Sequence, residues 1–286
     1  MMRQAEKSTA TGRQPIPASF PGIPGYRFLQ TIARSSYSDI HVAHSEELRH
    51  NVAIKVLRTG SNFDGQRIVE ERFERERELL MRVRHPAIVD VYDWGHGDGF
   101  SYIVTEYFPS GSLELRIRNL MTVRDSVDIF LQIAGALVAL HQAGLCHRDL
   151  KPANVMMRPD GRVVLIDFGL AKHAATQVDM TGTGEIFGTP YYMSPEQGHG
   201  QPLDARSDLY SLGVIFYEML MRKKPYVGPT PMAVLYMHAN APLPVLEDGL
   251  AGYQPLLDRL LAKEPANRFA SADELLADVR RLQAAG

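Results

Sequence analysis

The residue pattern changes character once, and that change limits what the chain can become. From Tyr26 to Tyr107 the sequence is mostly strand-like. Val52, Ile54 and Val56 alternate with Ala53, Lys55 and Leu57, and Ile88–Tyr92 and Phe100–Tyr107 flank a glycine-rich stretch at Gly95–Gly99 that predicts a hairpin turn. One helical segment, Gln66 to about Val83, interrupts these strands. After Pro109-Ser110-Gly111 the apolar spacing becomes helical, over 126–145, 207–221, 252–262 and 271–284. A small sheet-rich part followed by a larger helical part predicts an α+β protein of two lobes joined near Glu106–Gly111. Residues 1 to about 24, punctuated by Pro15, Pro17, Pro21 and Pro24, read as a flexible N-terminal arm. Leu170 to Pro190 shows no convincing period, and a loop of that length in a compact domain is often functional.

Composition removes several classes. With 31 basic and 33 acidic residues the net charge is −2, without the strongly basic footprint of a nucleic-acid or anionic-membrane binder. Cys146 is the only cysteine, which excludes an internal disulfide and a cysteine-rich zinc site and fits a reducing compartment. The most apolar stretch, Ile129–Cys146, contains Gln132, His141 and Gln142, and its long apolar side chains fall at helical spacing, so it predicts a buried helix rather than a membrane span. The N-terminus has no continuous apolar stretch of the secretory kind.

Three constellations carry chemistry. In the 66–83 helix, Val69, Phe73, Glu76, Leu80 and Val83 share one face, which turns the Glu76 carboxylate toward the core. Lys55 sits in an otherwise apolar strand with the opposite charge. Pairing Lys55 with Glu76 relieves both; the alternative is that each reaches solvent separately. In Asn154–Asp167, apolar runs flank the turn signal Pro159-Asp160-Gly161. A hairpin centred on Asp160-Gly161 sets Asn154 opposite Asp167, two oxygen-bearing groups suited to a hard cation such as Mg²⁺, or else two loop residues making local turns. In His147-Arg-Asp-Leu-Lys151, Asp149 has the chemistry of a general base and Lys151 that of a charge stabiliser, against the plainer reading of a surface ion cluster.

Together these segments resemble the protein kinase family, in the family's order, over about 26–284. Val52-Ala-Ile-Lys55 resembles the strand bearing the phosphate-binding lysine, with Glu76 at the place of its helix glutamate. His147-Arg-Asp-Leu-Lys-Pro-Ala-Asn154 resembles the catalytic loop, Asp167-Phe-Gly169 the metal-binding motif, and Ser194-Pro-Glu196 stands for the usual Ala-Pro-Glu. The resemblance implies a two-lobed kinase fold over residues 25–286: a small β-rich N-lobe with one main helix (about 25–107), a hinge (about 106–111) and a larger helical C-lobe (about 112–286). It implies that Lys55, fixed by Glu76, holds the ATP α- and β-phosphates, that Asn154 and Asp167 hold Mg²⁺ (Mn²⁺ being the substitute), that Asp149 accepts the proton of the acceptor hydroxyl and that Lys151 steadies the γ-phosphate. Ile32, Ile40, Ala53 and Met156 match positions that pack on adenine, with backbone of Glu106–Phe108 hydrogen-bonding it. Lys151 and Gly188-Thr189-Pro190 look serine/threonine-type, with Thr189 contacting Asp149 and Lys151. His147, Glu196, Asp208 and Arg268 fall at scaffolding positions, Asp208 supporting the catalytic loop and Arg268 pairing with Glu196. The wording is most similar to bacterial eukaryotic-like serine/threonine kinases, whose setting is cytoplasmic, free or as the cytoplasmic domain of a membrane-anchored protein. The partners implied are ATP, protein substrates with Ser/Thr acceptors and a transient homodimer, with no nucleic acid and no membrane segment in this chain.

One motif departs from the pattern. The phosphate-covering loop of the family has three glycines; here those positions hold Ala33, Ser35 and Ser38. Without glycine's backbone freedom the loop is expected to bind ATP more weakly or to move differently, so that restoring the three glycines tightens binding. The same departure supports an alternative, a pseudokinase or nucleotide-binding scaffold. Thr181 and Thr183, and more weakly Thr176, are the expected sites of autophosphorylation in trans, with Arg148 receiving the phosphate.

Overall fold

The computed structural model describes residues 20–35, 38–58, 71, 73, 74, 77, 78, 81–119, 121–167 and 190–285. Glu76, Phe168, Gly169, Thr176, Thr181, Thr183 and Thr189 lie outside the described residues. The described chain falls into two compact units, one made of 20–58 and 91–107, the other of 71–90 and 108–285.

The first unit is a five-stranded antiparallel sheet in the order β1-β2-β3-β5-β4. Its strands are β1 (Tyr26–Arg34), β2 (Ser38–Ser45), β3 (Asn51–Arg58), β4 (Val91–Gly97) and β5 (Phe100–Glu106). The alternation expected of Val52–Leu57 is present: Val52, Ile54 and Val56 are buried, packing with Ala43, Val104, Phe20 and Ile23. The β4–β5 turn is tighter than the sequence predicts. Gly97 pairs with Phe100, so the turn is Asp98-Gly99, and Gly95 and Gly97 lie inside β4. Glycine suits these two strand positions, because a Cβ at Gly97 would sit 2.1 Å from the Phe100 ring and one at Gly95 2.7 Å from the Tyr102 hydroxyl.

The second unit is built on helices. Val123–Gln142 starts from a Thr122 cap whose side chain accepts from the Asp125 amide while Asp125 bonds back. It buries Ile129, Ile133, Leu137 and Leu140, the predicted stripe, and no described helix is long and apolar enough to cross a membrane. Ala205–Met221 is buried nearly all round and packs through Tyr210, Val214 and Tyr217 on Leu246, Leu257 and Leu261. Ala272–Ala285 follows the predicted bounds closely, whereas the predicted 252–262 helix divides into a 3₁₀ stretch, Asp248–Tyr253, and an α-helix, Gln254–Leu260. Three helices that periodicity did not predict are Leu113–Arg118, Pro195–Gly198 and Pro231–Asn240. Of the 66–83 segment, Glu71, Phe73, Glu74, Arg77 and Glu78 are helical, with Phe73 buried and Arg77 paired to Glu74 at 2.9 Å.

The hairpin of β6 (Val155–Met157) and β7 (Val163–Leu165) forms at the expected turn, one residue out of the expected register. Val155 pairs with Leu165 and Met157 with Val163, so Asn154 lies across from Ile166 rather than Asp167, and the Ile166 amide donates to the Asn154 carbonyl at 2.9 Å. The cause is Gly161, whose φ of 84° makes Pro159-Asp160-Gly161 a three-residue loop instead of a two-residue one.

Candidate active site

Predicted site residues fall in both units. In the second, the chain Cys146–Lys151 is hung from Asp208, which is 1% exposed near the start of the Ala205–Met221 helix. The His147 amide donates to Asp208 Oδ2 and the Arg148 amide to Oδ1, each at 2.8 Å, and His141 Nε2 lies 2.9 Å from Oδ2. A buried carboxylate is tolerated because N–H groups take the place of water around it. With both amides held, Arg148 adopts φ 66°, in the left-handed region. The Arg148 carbonyl accepts from Gln197 Nε2 at 2.5 Å. The His147 ring is fully buried, and burial pushes its pKa below the ordinary value, so it packs as a neutral imidazole.

Beyond that suspension, Lys151 Nζ donates to Asp149 Oδ2 at 2.7 Å. Asn154 Nδ2 donates to the Asp149 carbonyl at 2.9 Å and to its Oδ2 at 3.2 Å. Three of the predicted residues therefore form one cluster, in which Asp149 is oriented by an ammonium and an amide. Asp167 lies two residues past the end of β7 and has φ 52°, an uncommon conformation for a non-glycine residue and one that recurs at functional sites. Met156 is half-buried in β6 opposite Val164, and Phe108 is buried.

Glu196 and Arg268 meet as the sequence predicts. Arg268 Nη1 and Nη2 donate to the two Glu196 oxygens at 2.7 and 2.8 Å, and Ser207 Oγ donates to Oε1 at 2.7 Å. The other Arg268 N–H groups go to the carbonyls of Ala262, Arg206 and Lys263, so all five donors are used in a side chain with 0% exposure. Burial alone would raise the Glu196 pKa; the Arg268 hydrogen bonds and charge, with Ser207, outweigh it and hold the carboxyl below its usual range. Cys146 is half-buried, and burial, reinforced by Asp208, pushes its thiol up to about 12, which keeps it protonated at neutral pH.

In the first unit, strand register brings the predicted nucleotide-side residues into one row. Ala33 pairs with Ile40, Ile40 with Lys55 and Lys55 with Ile103, so these four share one face of the sheet. Ala53 lies two positions before Lys55 on the same face, opposite Thr105 of β5. A bulge between Thr31 and Ala33 leaves Ile32 outside the ladder and half exposed. Glu106 ends β5 opposite Val52. Ser35 and Ser38, at two of the missing glycines, are bonded to each other: the Ser35 amide and hydroxyl both donate to the Ser38 carbonyl at 2.8 Å, and the Ser38 amide donates to Ser35 Oγ at 2.9 Å.

Residues 26–279 match the family model described as "Protein kinase domain". The chain belongs to the protein kinase family. It is 36% identical over 255 residues to "Serine/threonine-protein kinase PknB" of Mycobacterium leprae (strain TN), covering 86% of this chain and 41% of that protein. It is 37% identical over 269 residues to the protein of the same name from Mycolicibacterium smegmatis, covering 90% and 43%. A third relative, "Probable serine/threonine-protein kinase PknB" of Bifidobacterium longum, is 34% identical over 273 residues, covering 89% and 39%. The chain spans about two-fifths of the length of these relatives. Protein kinases use ATP and a divalent metal ion, and the oxygen donors at the hairpin mouth suit such an ion. The Asn154 amide nitrogen is committed to Asp149, so its oxygen is the atom with which it would meet a cation.

Two features of the site escaped the sequence reading. The support of Asp208 by His141 joins residues 67 apart, and its only early signal was a histidine near the end of the Val123–Gln142 helix. The second is the buried Asp39 bonded to Arg58, 19 residues away on the neighbouring strand.

Proposed function

We propose that this chain is a serine/threonine protein kinase of the bacterial eukaryotic-like type that transfers the ATP γ-phosphoryl group to protein hydroxyls. The observation that carries the reading is the Asp149–Lys151–Asn154 cluster, held on a loop whose backbone hangs from Asp208. An acceptor hydroxyl that displaces Lys151 from Asp149 delivers its proton to Oδ2, an oxygen still oriented by Asn154. Lys151 then turns to the γ-phosphate, where charge gathers. Lys55 would hold the α- and β-phosphates, braced by Glu76, with Ile32, Ala33, Ser35, Ser38, Ile40, Ala53, Met156 and the Glu106–Phe108 backbone around the nucleotide. Asn154 and Asp167 would hold Mg²⁺, or Mn²⁺ in its place; bound there, the ion neutralises phosphate charge. Lys151 two residues after Asp149, Thr189 and the printed names of the relatives support Ser/Thr acceptors.

Autophosphorylation at Thr181 or Thr183, in a transient homodimer, would switch the enzyme on. Arg148 supports this part of the reading: its Nε is buried without a hydrogen-bond partner among the described residues, so a phosphate would satisfy it. The reading places the kinase domain in the cytoplasm.

The test is incubation with γ-labelled ATP, Mg²⁺ and a generic protein acceptor, wild type beside Asp149→Asn. The expected outcome is label on Ser/Thr with wild type only. Equal label in both would overturn the assignment.

A further inference from the structure

Three side chains behind the catalytic loop converge on one point that the proposed mechanism does not use. His141 stands in the last turn of the Val123–Gln142 helix, Asp208 in the first turn of the Ala205–Met221 helix, and Cys146 on the chain that leads into His147. One ring nitrogen of His141, Cys146 Sγ and one Asp208 oxygen all lie within 4.8 Å of one another. The nitrogen facing Asp208 is Nε2, 2.9 Å from Oδ2. The Asp208 side chain is 1% and that of His141 10% exposed, while Cys146 is half-buried and Gln142–Gly144 beside it are exposed, so the cluster lies just under the surface.

Thiolate, imidazole and carboxylate are ligands of Zn²⁺, at about 2.3, 2.0–2.1 and 2.0–2.2 Å. Around a tetrahedral ion such atoms stand about 3.3–3.6 Å apart, so the widest separation in the cluster has to close by little more than ~1 Å. The fourth position is left to water. Two further observations point to a cation. His141 Nδ1 is buried without a hydrogen-bond partner among the described residues, so nothing locks the ring tautomer: the proton on Nε2 is free to pass to Nδ1 and leave the Nε2 lone pair to an ion. The charges felt by the sulfur are Asp208 and Asp204 against Arg148, and the negative field that helps to keep the thiol protonated favours a dication in the same place. On binding, the thiol proton leaves to water and a sulfur–metal bond replaces the S–H bond.

We propose that His141, Cys146 and Asp208 form an inhibitory site for a thiophilic divalent cation of the Zn²⁺ type. Asp208 also carries the amides of His147 and Arg148. An ion that draws Cys146 and Asp208 together therefore shifts both the residue before His147 and the carboxylate from which the loop hangs. A displacement of about 1 Å away from the chemistry can cost ~10²-fold in rate. The inhibitory step rests on the proposed reading of Asp149 as the base; the binding of the ion does not. Mg²⁺ prefers oxygen ligands and keeps its waters, so it is a poor occupant here, and the site differs in kind from the oxygen donors of Asn154 and Asp167.

The probe for binding is Co²⁺, which shows a thiolate charge-transfer band in the ultraviolet and intense visible bands when tetrahedral. Cys146 is the only cysteine, so any thiolate band reports this site. Titration of wild type without ATP should saturate at one ion per chain, with Zn²⁺ displacing Co²⁺ and excess Mg²⁺ leaving it in place. The band should be absent in Cys146→Ser, and His141→Gln, whose amide can still bond Asp208, should weaken Co²⁺ binding by more than about tenfold. Both variants keep Asp208 and with it the support of the loop. In the γ-labelled ATP assay at saturating Mg²⁺-ATP, with free Zn²⁺ set by a metal buffer, wild type should lose at least about tenfold in rate and regain it on chelation. Cys146→Ser should have the wild-type basal rate and need at least about tenfold more Zn²⁺ for half-inhibition. No thiolate band, undiminished Co²⁺ affinity in His141→Gln, or the same response of wild type and Cys146→Ser to Zn²⁺ would each overturn the proposal. A wild type that binds Co²⁺ through Cys146 but transfers no phosphate in zinc-free buffer would support the site and overturn the kinase reading instead.

Discussion

Two loops of this chain are fastened by the same device, a buried aspartate, and the fastenings differ in kind. Asp208 holds the catalytic loop through the amides of His147 and Arg148, with His141 alongside. The Asp39 side chain bonds to Arg58, which also donates to the Ser35 carbonyl and whose side chain is 43% exposed. Backbone amides cannot swing away from their acceptor, whereas a long, partly solvated arginine can, and its ion pair is screened by water and salt. The contrast assigns rigidity to the loop that, on the proposed reading, places Asp149 within hydrogen-bond reach of a proton. It leaves the partly solvated Asp39–Arg58 pair the weaker of the two fastenings.

Breaking the rigid side should produce the largest effects. Asp149→Asn should lower phosphoryl transfer by about 10²–10⁴-fold while ATP binding, followed by calorimetry, stays near wild type. Arg268→Ala strands the buried Glu196 carboxylate and should destabilise the protein by roughly 3–5 kcal/mol in urea unfolding. The pH dependence sharpens this. The folded-state pKa of Glu196 is depressed, so its contribution is complete above the unfolded value of about 4.3 and disappears as pH falls through the folded one. Wild type should therefore lose more stability than Arg268→Ala on acidification below about pH 4.3. On the regulatory side, Arg148→Ala should leave Mg²⁺-ATP affinity unchanged and abolish the gain in activity that follows preincubation with ATP; a full gain in the variant would remove the phosphate-receiving role. The smallest effect belongs to ordinary surface pairs. Arg118→Ala, which breaks an exposed i,i+4 bridge to Glu114, should change stability by less than about 0.5 kcal/mol.

The same contrast explains what was legible in the chain. Strand alternation over 52–57, the apolar stripe of Val123–Gln142 and the cluster around Asp149 are local patterns, and the fold keeps them. The one-residue error in the β6–β7 register arose because Pro159-Asp160-Gly161 fits two loop lengths, and only the left-handed Gly161 decides between them. Pro195–Gly198 has four residues, too few to show a period, and exposed Met232 and Tyr236 blur that of Pro231–Asn240; both helices are set by Ser194 and Thr230 caps with proline following. The Asp39–Arg58 brace was invisible for a different reason. Its partners are 19 residues apart on neighbouring strands, and nothing in either strand alone asks for the other.

The account stands on the proposed reading in which Asn154 and Asp167 hold the metal ion of a bound nucleotide. Calorimetric titration of ATP with and without Mg²⁺, for wild type and Asp167→Asn, addresses that directly. The account predicts that Mg²⁺ tightens ATP binding to wild type and that this gain vanishes in Asp167→Asn. An equal gain in both proteins would contradict it.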